Sequence, residues 1–156
     1  MRTEGKKSDK TFEILIIEDN RADARLIADA WEQCEVVDAN TSVLEDSRAA
    51  IPYLRNGMEF TDANNPRPDL ILLDYKMPTD GGVALTEIKG DPDYMDIPVI
   101  VITGSHNPED IRQIYLRRAN CCFQKPMDLE GIHDLVCDIA RHWLLRAMLP
   151  PPPREC

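Results

Sequence analysis

No apolar run in this chain approaches the ~20 residues that a helix needs to span a bilayer, so no membrane segment is expected. The start, Met1 to Lys10, is polar with no apolar stretch behind it. It lacks the build of a secretory signal and reads as a flexible lead-in. Positive charge is also short: 18 Lys and Arg face 28 Asp and Glu, a formal net charge of −10. That argues against nucleic acid as a direct partner, because contacts to phosphate backbones depend on Lys and Arg. The five cysteines (Cys34, Cys121, Cys122, Cys137, Cys156) show no CxxC or Cys/His spacing. Their odd number and scatter suit free thiols in a reducing cytoplasm and offer nothing to zinc. His106, His133 and His142 also lack ligand spacing and read as structural or exposed.

What is present fits one ordinary domain. The 156 residues suffice for a self-contained core, and 43% hydrophobic with 29% charged residues are globular values. Strand and helix patterns alternate throughout. A strand over about Phe12 to Ile17 leads to a helix from Arg21 to Gln33, with Ala22, Leu26, Ile27, Ala30 and Trp31 as its inward stripe. Val36 to Leu44 holds a weakly signalled second strand. Asp46 or Ser47 caps the next helix, which turns Ala49, Ala50, Tyr53 and Leu54 inward, carries Pro52 near its start and ends at Asn56-Gly57. A polar loop from Glu59 to Pro68 precedes the third strand.

Gly81-Gly82 opens a short helix carrying Leu85 and Ile88, and a loop from Gly90 to Pro98 leads to the fourth strand. Asn107 and Pro108 have the N-cap and first-position chemistry of a helix start. After the short run Cys121-Cys122-Phe123, Asp128 caps a last helix whose stripe is Leu129, Ile132, Leu135, Val136, Ile139 and Trp143. Five βα pairs predict a doubly wound parallel sheet with right-handed crossovers. The prolines at 150–153 predict an extended stub with no output domain behind it.

The chemistry sits where the apolar strands stop. Ile14-Leu15-Ile16-Ile17 runs into Glu18 and Asp19, Leu70-Ile71-Leu72-Leu73 into Asp74, and Val99-Ile100-Val101-Ile102 into Thr103 and Gly104. Lys125 follows the fifth strand, before Pro126. In an open parallel sheet, ligands bind outside the carboxyl ends of the strands. A strand-end carboxylate can attack phosphorus, paired acids can hold Mg²⁺ with the phosphate, and a lysine and a threonine can neutralise phosphoryl oxygens. Each residue also has a plain reading: Asp74 as a turn cap, Glu18-Asp19 as acids favoured at a helix start, Thr103 as a strand residue, Lys125 as a solvated charge. The set at fitting spacing favours function.

Glu18-Asp19, Leu72-Leu73-Asp74-Tyr75-Lys76-Met77-Pro78, Gly82, Thr103-Gly104 and Lys125-Pro126 together resemble the receiver domain of two-component response regulators, over about Phe12 to Leu145. The resemblance implies a flavodoxin-like (βα)5 receiver fold spanning 11–149. It implies that Asp74 accepts a phosphoryl group from a sensor histidine kinase. Glu18, Asp19, Asp74 and the Lys76 backbone carbonyl would hold Mg²⁺, while Thr103, Gly104 and Lys125 would read the phosphorylated state. Ile17-Glu18-Asp19-Asn20, the long loop before Arg67-Pro68-Asp69-Leu70, Ala119-Asn120-Cys121 and the Trp143…Leu149-Pro150 end are similar to single-domain regulators encoded with phytochrome-type histidine kinases.

Three departures from the family pattern stand out. Cys122 occupies the position where most receivers carry an aromatic switch, and Phe123 should point to the opposite face of its strand. Gly81 replaces a common acid, with Asp80 one step earlier. Lys76 lies where its side chain can influence autodephosphorylation. Leu144, Leu145 and Met148 exceed what one inward stripe requires and suggest a homodimer face. Without an output domain, the protein would act in the cytoplasm by docking to a downstream protein or passing phosphate onward. Two rivals remain: a phosphorylation-independent adaptor, and a Mg²⁺-dependent aspartyl-phosphate phosphohydrolase. Lys76 counts against the second, since such enzymes carry an acid there.

Overall fold

The computed structural model describes residues 9–59, 66–75, 80–151 and 153. Of the expected lead-in, 1–8 lie outside this range, as do most of the polar loop before the third strand and part of the proline stub. Five strands form one parallel sheet: β1 (Thr11–Ile17), β2 (Asp38–Leu44), β3 (Leu70–Asp74), β4 (Val99–Thr103) and β5 (Cys121–Gln124), in the order β2-β1-β3-β4-β5. The helices between and after them are α1 (Arg21–Gln33), α2 (Ala50–Glu59), α3 (Gly81–Gly90), α4 (Pro108–Leu116) and α5 (Leu129–Ile139). The expected doubly wound sheet is present.

Apolar side chains on consecutive residues need cover on both faces of a sheet, and the core accordingly has two halves. Ile14, Ile16, Leu70, Leu72, Ile100 and Ile102 pack on one side with Ile27, Trp31, Val136 and Ile139 of α1 and α5. Leu15, Ile17, Ile71, Leu73, Val99 and Val101 pack on the other with Leu54, Leu85, Ile88 and Ile114 of α2, α3 and α4. The edge strand β2 alternates between exposed and half-buried residues, which explains its weak signal. Among the described residues no helix is long and apolar enough to cross a membrane.

Local chemistry sets most helix boundaries. Asn20, Asn107 and Asp128 accept from the backbone N–H groups of Asp23, Glu109 and Gly131, each satisfying a donor that the helix start leaves orphaned. Asp46 caps a 3₁₀ turn, Ser47–Ala49, that leads into α2. Pro52 then falls in the first turn of α2, where its missing N–H costs nothing.

Several expectations need correction. The helix runs through Asn56-Gly57 to Glu59. In α1, Ala22 is exposed and Ala24 takes the buried place, because the true stripe is centred one position later. Leu129 is exposed at the first position of α5, beyond the edge of the core, while Ala140 and Leu144 are buried. They can be because the chain continues past α5 as a wider π-helical segment, Ala140–Arg146, which rotates the later side chains relative to a regular helix.

Lys89 is a charge enclosed by the fold. Only 7% exposed, it donates to the carbonyl oxygens of Met95 and Ile97 at 3.0 and 2.8 Å. Burial lowers its pKa from 10.5 to about 8, against a smaller upward pull from Asp96. The unfolded chain therefore binds the more protons between those two values. Lys89 should contribute a rise in stability of about 2–3 kcal/mol as pH increases from 8 to 10.5. Burial raises the Cys122 and Cys137 thiols and opposes this over the same range, so the rise should appear in urea melts as the difference between the parent and Lys89→Met; an equal slope in both would contradict it.

Candidate phosphoacceptor and metal site

Strand register builds the site. Ile17 pairs with Leu73, and Asp74 pairs with Ile102, so the residue after β1, Glu18, comes beside the last residue of β3, Asp74. Ile102 in turn pairs with Phe123, which brings Thr103 and Lys125 to the same edge. The Lys125 backbone N–H donates to the Thr103 carbonyl oxygen at 2.8 Å and extends the β4–β5 ladder past the strand end.

One ammonium faces three carboxylates there. Lys125 Nζ lies 2.8 Å from Asp23 Oδ2, 3.1 Å from Glu18 Oε2 and 3.6 Å from Asp74 Oδ2. Glu18 is 2% exposed and Asp74 9%, so most of this charge is withdrawn from water. Burial raises the Glu18 pKa to about 7, and the neighbouring charge of Asp74 pushes the same way. For Lys125, burial works against the charged form, but the hydrogen bond to Asp23 and the charges of Asp74 and Glu18 outweigh it and move the pKa above 10.5. The resting site thus holds an obligate cation among carboxylates that repel one another.

Glu18, Asp19 and Asp74 each bring a carboxylate oxygen within 4.8 Å of the others. Three hard oxygen donors, two of them buried, fit a divalent cation.

The response regulator receiver domain family matches residues 14–137. The chain belongs to it. The response regulator Rcp1 of Synechocystis is 38% identical over 138 residues, spanning 88% of this chain and 92% of that protein. Among solved structures, the phosphorylated cyanobacterial phytochrome response regulator RcpA superposes with a TM-score of 0.81 at 39% identity, over 91% of this chain and 100% of the other. The Mn²⁺-bound form of Rcp1 superposes at 0.77 with 38% identity, over 90% and 99%.

The remaining receiver positions are distributed as follows. Thr103 is 1% exposed, and its hydroxyl oxygen accepts from the Ser105 backbone N–H at 3.1 Å. Gly104 is exposed, with open space where a Cβ would stand. Cys122 packs on the α2–α4 side of the sheet and Phe123 on the opposite side, as strand alternation requires. Leu144 belongs to the core, while Leu145 and Met148 are 41% and 98% exposed, so the expected apolar surplus at this end reduces to those two. Lys76 lies outside the described residues.

Other contributors were missed by the sequence reading. Asp23 makes the shortest contact to Lys125, and its one legible signal was an acid three residues after the cap Asn20. Tyr115 of α4 accepts through its hydroxyl from the Cys122 backbone N–H at 3.2 Å, which supplies an aromatic beside the position that lacks one. Arg117 lies over the Tyr75 ring at 6.0 Å and fills the space a Cβ at Gly82 would need. A Cβ at Gly81 would run into the Asp74 carbonyl oxygen, a backbone contact that cannot yield. Here the family's usual acid is excluded by close approach, and Asp80 caps α3 with a left-handed φ of 58°.

Removing the Lys125 ammonium should expose the repulsion. Lys125→Met is expected to lose about 2–3 kcal/mol of stability at pH 8 in chelator, a loss that Mn²⁺ or Mg²⁺ largely restores. Urea melts with and without metal test this; equal metal protection of parent and variant would contradict the charge balance described here.

Proposed function

We propose that this chain is a phosphoacceptor switch in a two-component pathway, with residues 11–149 as its receiver domain and Asp74 as the acceptor. The observation that carries the reading is the buried Asp74 carboxylate held between an acidic pair and a lysine at the carboxyl edge of the sheet. An Asp74 oxygen attacks phosphorus, the bond from phosphorus to the histidine nitrogen of a sensor kinase breaks, and the imidazole departs with that electron pair. Glu18, Asp19, Asp74 and the Lys76 carbonyl would hold Mg²⁺, which neutralises phosphoryl oxygens. Lys125 donates to one oxygen of the new acyl phosphate. Thr103 turns its hydroxyl from Ser105 toward another, with Gly104 leaving the space for that movement.

The likeness to Rcp1 and RcpA supports a phytochrome-type histidine kinase as donor. The signal then passes to a downstream protein in the cytoplasm by a shift in the population of the β4–α4 and β5 region. The exposed Leu145 and Met148 support a homodimer contact, and the net charge of −10 supports a protein rather than a nucleic acid as the target.

Intact-mass analysis after incubation with Mg²⁺ and acetyl phosphate should show one added acid-labile phosphoryl group, absent without Mg²⁺ and absent in Asp74→Ala. No gain from acetyl phosphate or from a phosphorylated histidine kinase would overturn this reading in favour of the adaptor.

A further inference from the structure

We infer that Asp23 is a positioning residue that holds Lys125 away from Asp74 in the resting protein, and so sets how readily the phosphorylated state forms. The inference rests on the phosphoacceptor reading above. An ammonium has three N–H donors, and N–H···O hydrogen bonds have donor–acceptor distances of about 2.7–3.2 Å. Lys125 meets that range with Asp23 at 2.8 Å and Glu18 at 3.1 Å, but lies outside it with Asp74 at 3.6 Å. Two of its three donors are therefore engaged away from the phosphoacceptor carboxylate, and they set where the ammonium rests.

The two holders differ in kind. Glu18 is buried, lies in the carboxylate cluster and is available to a cation. Asp23 is not part of that cluster, and its side chain is 35% exposed. Its place is fixed by α1 rather than by the site: it is the third helical residue, its backbone N–H bonded to the Asn20 side chain at 3.1 Å. A carboxylate is also favoured there by the helix dipole. When a cation engages Glu18 and a phosphoryl group sits on Asp74, Asp23 remains as the competing claimant for Lys125. Phosphorylation must draw the ammonium from Asp23 toward the new oxygens, and the strength of the 2.8 Å contact opposes that movement.

Asp23→Asn keeps the size and the helix start but removes the competing charge. Beryllofluoride, an analogue of the phosphoryl group, should bind the variant about three- to tenfold more tightly than the parent by titration calorimetry in Mg²⁺. The acyl phosphate should outlast that of the parent by a similar factor. Asp23→Glu, which restores a carboxylate on a longer arm, should return both toward parental values.

A positioning role makes the effect depend on the lysine. In Lys125→Met, or in Lys125→Gln where the first variant does not fold, adding Asp23→Asn should change analogue affinity by less than about twofold. An equal gain with and without Lys125 would overturn the inference and assign the effect to simple repulsion between Asp23 and the phosphoryl charge. Unchanged or weaker binding by Asp23→Asn would also overturn it. Failure of the parent itself to bind the analogue or take up phosphate would instead defeat the phosphoacceptor reading, and this inference with it.

Discussion

The site depends on one lysine ammonium set among three carboxylates at the end of a parallel sheet. Strand pairing forces Glu18 next to Asp74, because Ile17 is opposite Leu73 in a register that the packed core does not allow to slip. Two nearly buried carboxylates side by side are unfavourable unless something positive is shared between them. Lys125 is that cation at rest, and a divalent ion at the Glu18, Asp19 and Asp74 cluster would share the role. The energetic conflict is local, while its support comes from the whole sheet. Apolar strands buried on both faces give a rigid frame from which short polar residues project.

That frame also explains the close fit around the acceptor. The backbone at Asp74 is approached by Gly81, with no room for a side chain, and Arg117 lies across Tyr75 and fills the space beside Gly82. On the other side Thr103 and Gly104 leave the β4–α4 turn comparatively open. The Thr103 hydroxyl accepts from the Ser105 backbone N–H there, next to the unfilled space at Gly104. The two flanks thus differ, one closed by backbone and an arginine, the other with open space beside Gly104. The second flank adjoins β5, where Tyr115 rather than residue 122 supplies the aromatic group.

Much of this was legible in the order of residues because it follows from local rules. The apolar runs of β1, β3 and β4 declared themselves as buried parallel strands, and α1 and α4 begin where their Asn caps stand. The strand-end acids, threonine and lysine could be placed together because parallel strands put all their carboxyl ends at one edge. What escaped depended on contacts between distant parts of the chain. The stripe of α1 turned on Ala24 rather than Ala22, a choice set by how the helix lies on the sheet. Asn56-Gly57 looked like a helix end, yet α2 continues through it. Leu144 looked like surface surplus, because a π-helical segment that returns it to the core has no evident local signature. Asp23 had the marks of an ordinary first-turn acid, and only the fold brings Lys125 to it.

Lys125 is shared among carboxylates at rest, and a phosphoryl group on Asp74 should draw it toward that residue. Side-chain ammonium ¹⁵N NMR of the parent follows this lysine, with Lys125→Arg to assign the signal. A slowly exchanging, hydrogen-bonded Lys125 resonance is expected in the resting protein, shifting when Mg²⁺ and beryllofluoride are added together. A Lys125 ammonium that exchanges rapidly with water at rest, or that is unmoved by the phosphoryl analogue, would contradict it.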